Sequence, residues 1–261
     1  MDNILAQIIQ HKIREVEGKE AATGLEILEQ LALEAPPVVS MVHALKDPSG
    51  SGIIAEFKRM SPSGGTMHNS HSLLDTVRKY IENNASGVSI LTDEKYFGGS
   101  EEDLYGAKQR YPSIPMLRKE FIIDPYQIIE ARALGADAIL LIAAILDREE
   151  IRSFTELAHA LDMEVILEVH HEHELDKYYD GIDIIGVNNR NLTTFQTDIR
   201  HSIRLLGSLP ANKVKISESG IRTADDAKLL LDAGYDGLLI GSSLMQSEDP
   251  GTALQQLISR N

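Results

Sequence analysis

The chain contains no cysteine. Disulfide scaffolds, thiolate zinc sites and cysteine nucleophiles are therefore excluded. Long apolar runs are also missing: the longest, such as 138–146, fall short of the roughly 20 residues that a membrane-spanning helix needs. The start, Met1-Asp2-Asn3-Ile4, has no basic stretch ahead of an apolar one, so no secretory signal is read there and a cytoplasmic location is expected. Basic residues are in deficit, 25 Lys and Arg against 40 Asp and Glu, for a formal net charge of −15. Nucleic acid, whose backbone needs a basic surface, is an unfavourable partner. The charge suits solubility instead, and any anionic substrate must find its cations concentrated at one site. Neither G-x-G-x-x-G nor G-x-x-x-x-G-K-[ST] occurs, so both common nucleotide fingerprints are absent.

What remains is an ordinary globular composition, 261 residues with 43% hydrophobic and 25% charged. Its length suits one large α/β domain or two small ones. From Gly52 onward, apolar runs alternate with amphipathic stretches. The runs at 53–57, 87–91, 114–118, 138–142, 164–169, 182–187, 213–217 and 237–240 read as strands, and the stretches at 72–82, 101–109, 125–134, 148–161, 172–177, 199–206, 223–232 and 251–259 read as helices. Asp124-Pro125 is a cap followed by a first-turn proline, and Gly135 and Gly234 read as helix stops. The stretches 131–138 and 230–237 share a pattern in which a helix ends at glycine and an aspartate precedes the next strand. Eight such alternations fit a (β/α)₈ TIM barrel better than a doubly wound sheet. Ahead of it, 4–16 and 25–33 have helical spacing until Pro36-Pro37 breaks it. The expected organisation is one barrel domain over 1–261, with 1–47 a helical extension packed on it.

The stretch 53–65 concentrates the chemistry: an apolar strand ends in Glu56 and Lys58, and a Ser61-Pro62-Ser63-Gly64-Gly65 loop follows. Positions two apart share a strand face, so the carboxylate and the ammonium point the same way. Alone, the pair reads equally as a structural ion pair or as catalytic groups. Functional groups of such barrels gather at the C-terminal strand ends, and polar residues recur there: Lys119 and Glu120, Glu168, Asn188 and Arg190, Glu218 and Ser219, Gly241 and Ser242. Ser219-Gly220 and Gly241-Ser242 place small residues at adjacent strand ends, where such barrels bind phosphate; a pair of tight turns is the plainer alternative.

These segments resemble indole-3-glycerol phosphate synthase. The resemblance lies in Ile54-Ala55-Glu56-Phe57-Lys58 with Ser61-Pro62-Ser63, Ser89-Ile90-Leu91-Thr92-Asp93, Tyr96-Phe97-Gly98-Gly99-Ser100 and Lys119-Glu120-Phe121-Ile122. It continues through Glu168-Val169-His170, Asn188-Asn189-Arg190-Asn191-Leu192, Ser217-Glu218-Ser219-Gly220-Ile221, Ile240-Gly241-Ser242-Ser243-Leu244-Met245 and the early Ile8-Ile9-Gln10-His11-Lys12 with Glu15-Val16. Gly64-Gly65 stand where many of that family carry lysine, which bears on the mobility of the first loop. The resemblance implies ring closure of 1-(2-carboxyphenylamino)-1-deoxyribulose 5-phosphate to indole-3-glycerol phosphate with loss of CO₂ and water, in tryptophan biosynthesis. It implies no metal, nucleotide or redox cofactor. Lys119 would be the general acid on the carbonyl, and Glu168 would assist dehydration and stabilise charge on the ring nitrogen. Lys58 would bind a substrate anion or also move a proton, held by Glu56. Asn188 would bond a hydroxyl, Arg190 would orient the carboxylate side, and Glu218 would support the polar network. Ser219, Gly220, Gly241 and Ser242 would hold the phosphate. Phe97, Phe121 and Leu140 would line a slot for the aromatic ring, and Ser61 belongs to a loop that reads as a mobile lid over the substrate.

Three rivals are weighed. Phosphoribosylanthranilate isomerase, another phosphate-binding barrel, resembles a cysteine–aspartate enzyme, and cysteine is absent here. A non-catalytic barrel would not need Lys58, Lys119 and Glu168 together. His170, His171 and His173 beside Glu168 and Glu172 could suggest a metal, but they read as a polar strand-to-helix turn. A monomer is expected.

Overall fold

The computed structural model describes residues 4–62, 65–66, 71–191 and 194–258. Met1, Asp2, Asn3, Ser63, Gly64, Leu192 and Ser259, which enter the sequence expectations, lie outside the described residues.

Eight parallel strands close into a barrel in sequence order: β1 (Ile53–Phe57), β2 (Gly87–Leu91), β3 (Met116–Lys119), β4 (Ala138–Ile142), β5 (Glu164–Val169), β6 (Ile184–Asn188), β7 (Val214–Glu218) and β8 (Gly237–Ile240), with β8 paired back to β1. Every strand expected from the sequence is present. Those expected at 114–118, 182–187 and 213–217 are shifted one or two residues toward their C-terminal ends. Three aspartates help set the register. Asp137, Asp183 and Asp236 stand just before β4, β6 and β8, and accept the backbone N–H of Met116, Val165 and Lys215 at 2.6, 2.8 and 2.8 Å. Each aspartate thus ties the start of one strand to the start of the strand before it. This is the physical content of the repeated glycine–aspartate pattern.

Side chains are apolar on both faces of the barrel, as a covered parallel sheet requires. Ile54, Leu117, Leu140, Ile166, Ile184 and Ile216 fill the interior. A larger apolar layer lies between the strands and the outer helices. Those helices are α4 (Leu73–Glu82), α6 (Glu101–Arg110), α7 (Pro125–Ala133), α8 (Arg148–Ala160), α9 (Arg200–Leu205), α10 (Ala224–Ala233) and α12 (Pro250–Ile258), with a 3₁₀ turn at Glu172–Lys177 where an α-helix was expected. Asp124 forms a capping box with Gln127, and Gly234 closes α10 at φ 117°.

Ahead of the barrel stand α1 (Ile4–Ala22), α2 (Leu25–Glu34) and α3 (Met41–Lys46). Helix α1 runs past the expected 4–16. Its charged last turns lack apolar spacing, but Lys19 pairs there with Glu101 and with Glu130. Helix α3 was not expected. Ser40 caps it by accepting the His43 N–H, and it drives Met41 and Leu45 into the interior cluster as a plug. Burying such side chains contributes about 1.5–3 kcal/mol each. Two four-residue helices, α5 (Glu94–Phe97) and α11 (Ser242–Met245), and a small antiparallel pairing of Met60–Ser61 with Gly65–Thr66 complete the mouth.

Candidate active site

A cavity of about 520 Å³ opens at the C-terminal ends of the strands. All the residues expected at the site line it: Glu56, Lys58, Ser61, Phe97, Lys119, Phe121, Leu140, Glu168, Asn188, Arg190, Glu218, Ser219, Gly220, Gly241 and Ser242. Strand register explains the gathering. Glu56, next to last in β1, sits opposite Ser89, Lys119 sits opposite Leu91, Glu168 lies between Ile142 and Gly186, and Asn188 pairs with Glu218.

At the centre, the Lys119 ammonium donates to Glu168 Oε2 at 3.0 Å and to Glu218 Oε2 at 2.6 Å. Burial works against that ammonium, but Glu168, Glu218 and Glu56 together hold its pKa above the ordinary lysine value. Burial likewise opposes the Glu168 carboxylate, yet Lys119 and His170, with a hydrogen bond from the Asn188 amide, hold it down at about 2. Glu218 goes the other way. Burial, with Glu168 close by, pushes it up to about 7 despite Lys119. Its Oε1 is buried and has no hydrogen-bond partner among the described residues. Two carboxylates on one ammonium cannot both ionise freely in a dry site. The cluster therefore holds Glu168 charged and Glu218 poised near neutrality.

Beside it, Lys58 donates to Glu56 Oε1 at 2.6 Å. Glu56 and Glu218 both need missing side chains opposite them. A Cβ at Gly241 would collide with the Glu56 carboxyl, and one at Gly186 with the Glu218 carboxyl. Gly241 thus has a clearance role that spacing alone does not reveal. Ser219 and Gly220 are consecutive left-handed residues, φ 68° and 82°. Glycine in such a turn lets an anion approach the backbone closely. Next to it, the first-turn N–H groups of α11 lie outside that helix's own hydrogen bonding. On the opposite side, Phe97 and Phe121 stand with ring centroids 6.0 Å apart, tilted by 39°.

The expected concentration of cations takes the form of a balance. Lys58, Lys119, Arg190 and Arg222 face Glu56, Glu120, Glu168 and Glu218 around the cavity, in a chain whose overall charge is −15. Sequence reasoning missed Ile4, Leu5 and Ile8 of α1, and Phe195, Thr197 and Arg222 beside the small-residue turns. Arg222 stands two residues after Gly220 and was within reach of the motif. The α1 residues carry no local signal for a site so distant in the chain. Of the three histidines, His171 and His173 stack at 5.5 Å, and the buried His170 ring lies 3.4 Å from Glu168 Oε1.

Comparison with known proteins gives one consistent match. The family model described as indole-3-glycerol phosphate synthase matches residues 5–257. Among curated relatives, the indole-3-glycerol phosphate synthase of Bacteroides thetaiotaomicron is 46% identical over 258 residues, covering 99% of this chain and 98% of the relative. That of Acidithiobacillus ferrooxidans is 40% identical over 261 residues, covering 98% and 99%. Solved structures at low identity share the fold. A 3-hexulose-6-phosphate synthase from Salmonella typhimurium aligns at TM-score 0.65 and 14% identity, over 79% of this chain and 96% of its own. A mutant tryptophan synthase alpha-subunit from Pyrococcus furiosus aligns at TM-score 0.62 and 14% identity, over 80% and 98%.

Proposed function

Since this chain belongs to the indole-3-glycerol phosphate synthase family, we propose the following division of labour among the residues of its cavity. The overall reaction is that of the family, a carboxy-lyase step of tryptophan biosynthesis that takes a phosphorylated small molecule to indole-3-glycerol phosphate. The observation that carries the assignment of roles is the Lys119 ammonium, held between Glu168 and Glu218 at the cavity floor.

The substrate's phosphate sits against Ser219, Gly220, Gly241 and Ser242, and its aromatic ring lies against the paired rings of Phe97 and Phe121, above Leu140. Arg190 and Lys58 receive the ring carboxylate. The ring carbon bearing that carboxylate attacks C2′, and Lys119 gives its proton to the oxygen that develops there. The raised pKa of Lys119 is compatible with this, because an alkoxide is a stronger base than an amine. Loss of CO₂ returns the bond electrons to the ring. The C2′ hydroxyl then leaves as water, with its second proton supplied by Lys58 or by re-protonated Lys119. Glu168, kept ionised, stabilises the cationic ring nitrogen and takes the last proton from C1′, which completes the C1′–C2′ double bond. General acid and base contributions of this kind amount to about 10²–10⁴-fold each. Asn188 holds Glu168 and a substrate hydroxyl, and Glu56 keeps Lys58 in place.

The part played by α1 in the cavity wall supports 1–47 as an integral piece of one domain over 1–261. In this reading the chain, which carries its own N-terminal helices, works as a monomer. Among the described residues no helix is long and apolar enough to cross a membrane, and the enzyme works in the cytoplasm. The test of the roles is the fluorescence of indole-3-glycerol phosphate formed from the carboxyphenylamino substrate. Lys119→Met should be folded and nearly inactive. Full turnover in that variant would remove Lys119 as the acid.

A further inference from the structure

Lys12 lies on α1, far in sequence from every strand end, and is fully buried. Its ammonium reaches Glu15 at 3.0 Å, Glu120 at 3.1 Å and Asp93 at 3.2 Å. The last two carboxylates have second duties. Asp93 Oδ1 accepts the Tyr96 N–H at 2.7 Å and so caps α5, whose final residue is Phe97. Glu120 Oε1 accepts the Phe121 N–H at 2.8 Å, and its Oε2 accepts the Thr92 hydroxyl at 2.8 Å. One cation therefore joins the two segments that carry the paired rings. Without it, two carboxylates would share a dry pocket and repel. Burial disfavours the Lys12 charge, but Glu120, Asp93 and Glu15 more than offset this and keep it protonated. The same helix brings Ile4, Leu5 and Ile8 to the cavity wall.

We propose that Lys12 is a positioning residue for the aromatic slot: through Asp93 and Glu120 it sets the spacing of Phe97 and Phe121, and so the affinity for the ring-bearing half of the substrate, while leaving the phosphate turns untouched. The inference rests on the reading of Phe97 and Phe121 as the ring slot.

Two competitive inhibitors separate the halves of the site: the substrate with its carbonyl reduced to an alcohol, and inorganic phosphate. Lys12→Met should raise the inhibition constant of the reduced substrate about tenfold, since small displacements of positioning groups cost that much or more. The constant for phosphate should stay within about twofold, and Lys12→Arg should restore most of the loss. An unchanged constant for the reduced substrate, or a parallel rise for phosphate, overturns the inference. Phe97→Ala and Phe121→Ala locate any failure. If neither weakens the reduced substrate, the slot reading itself is wrong and Lys12 falls with it. If both do and Lys12→Met does not, only the role of Lys12 is wrong. Should Lys12→Met not fold, Glu120→Gln carries the test, because it keeps the acceptor for the Phe121 N–H and loses the ion pair. It should weaken the reduced substrate about threefold with phosphate unmoved, and no change would overturn the inference.

Discussion

Lys108, fully buried, and Lys119, half-buried at the cavity, both face carboxylates, at opposite ends of the same barrel. Lys108 donates to both oxygens of Asp137, at 2.8 and 2.7 Å, and to the Pro112 carbonyl at 3.1 Å. Asp137 also accepts the N–H groups of Val39 and Met116. Both side chains are closed off from solvent and fully bonded. Lys119 instead opens on the cavity and shares one charge between two carboxylates, leaving Glu218 Oε1 without a partner among the described residues. A satisfied buried network rigidifies, whereas an under-satisfied one holds reactive potential. In such barrels the first kind belongs at the N-terminal face and the second at the C-terminal face.

The comparison can be broken at several points. The largest effect on stability is expected at Lys108→Met, which strands the Asp137 charge and should cost about 3–5 kcal/mol in chemical denaturation, with kcat of the folded fraction unchanged. A milder loss would mean that Asp137 relaxes or takes up a proton easily.

Next is the pH dependence of the Glu218 carboxyl. Its folded-state pKa is raised from the ordinary 4.5 to about 7, so the folded protein binds that proton more tightly than the unfolded one does. Stability from this group is complete below about pH 4.5 and is lost as pH rises to about 7, on the order of 3 kcal/mol in all. Glu218→Gln should flatten that slope in melts across this window; an unaltered slope would place the proton elsewhere. Gly241→Ala should press on the Glu56 carboxyl, an overpacking of about 1–3 kcal/mol. It should lower kcat/KM and bring the melting temperature down by several degrees, and wild-type kinetics would show that Glu56 can move aside. The smallest effect is on salt. A cavity with balanced charges should show KM rising only about two- to threefold between low and moderate ionic strength, and a much steeper rise would point to long-range steering.

The fold was legible because its signals are local. Each strand is a short apolar run, and caps such as Asp124 and Thr223 lie next to their helices. Site residues were legible for a related reason: a charged residue ending an apolar strand is visible without the partner strand. Three kinds of feature were not. Helices α5 and α11 have four residues each, too few for any periodicity. Helix α3 hides its role as a plug, because Met41 and Leu45 gain meaning only against strands distant in sequence. Arg118 was read only as the end of a strand and Lys12 only as part of an early motif, yet both are fully buried among carboxylates brought from other elements. Long-range electrostatic closure leaves no mark on local composition. Gly241 is the intermediate case, since its position was evident but its clearance for Glu56 required coordinates.

The contrast between the two lysines is tested most directly by measuring the turnover of Lys119→Met and Lys108→Met side by side, each on protein shown to be folded by its melt. Turnover should fall about 10³-fold or more in Lys119→Met, with the fold kept because Glu218 can take up a proton. Lys108→Met should turn over near the unaltered enzyme at a lowered melting temperature. Comparable turnover in the two variants would contradict that contrast.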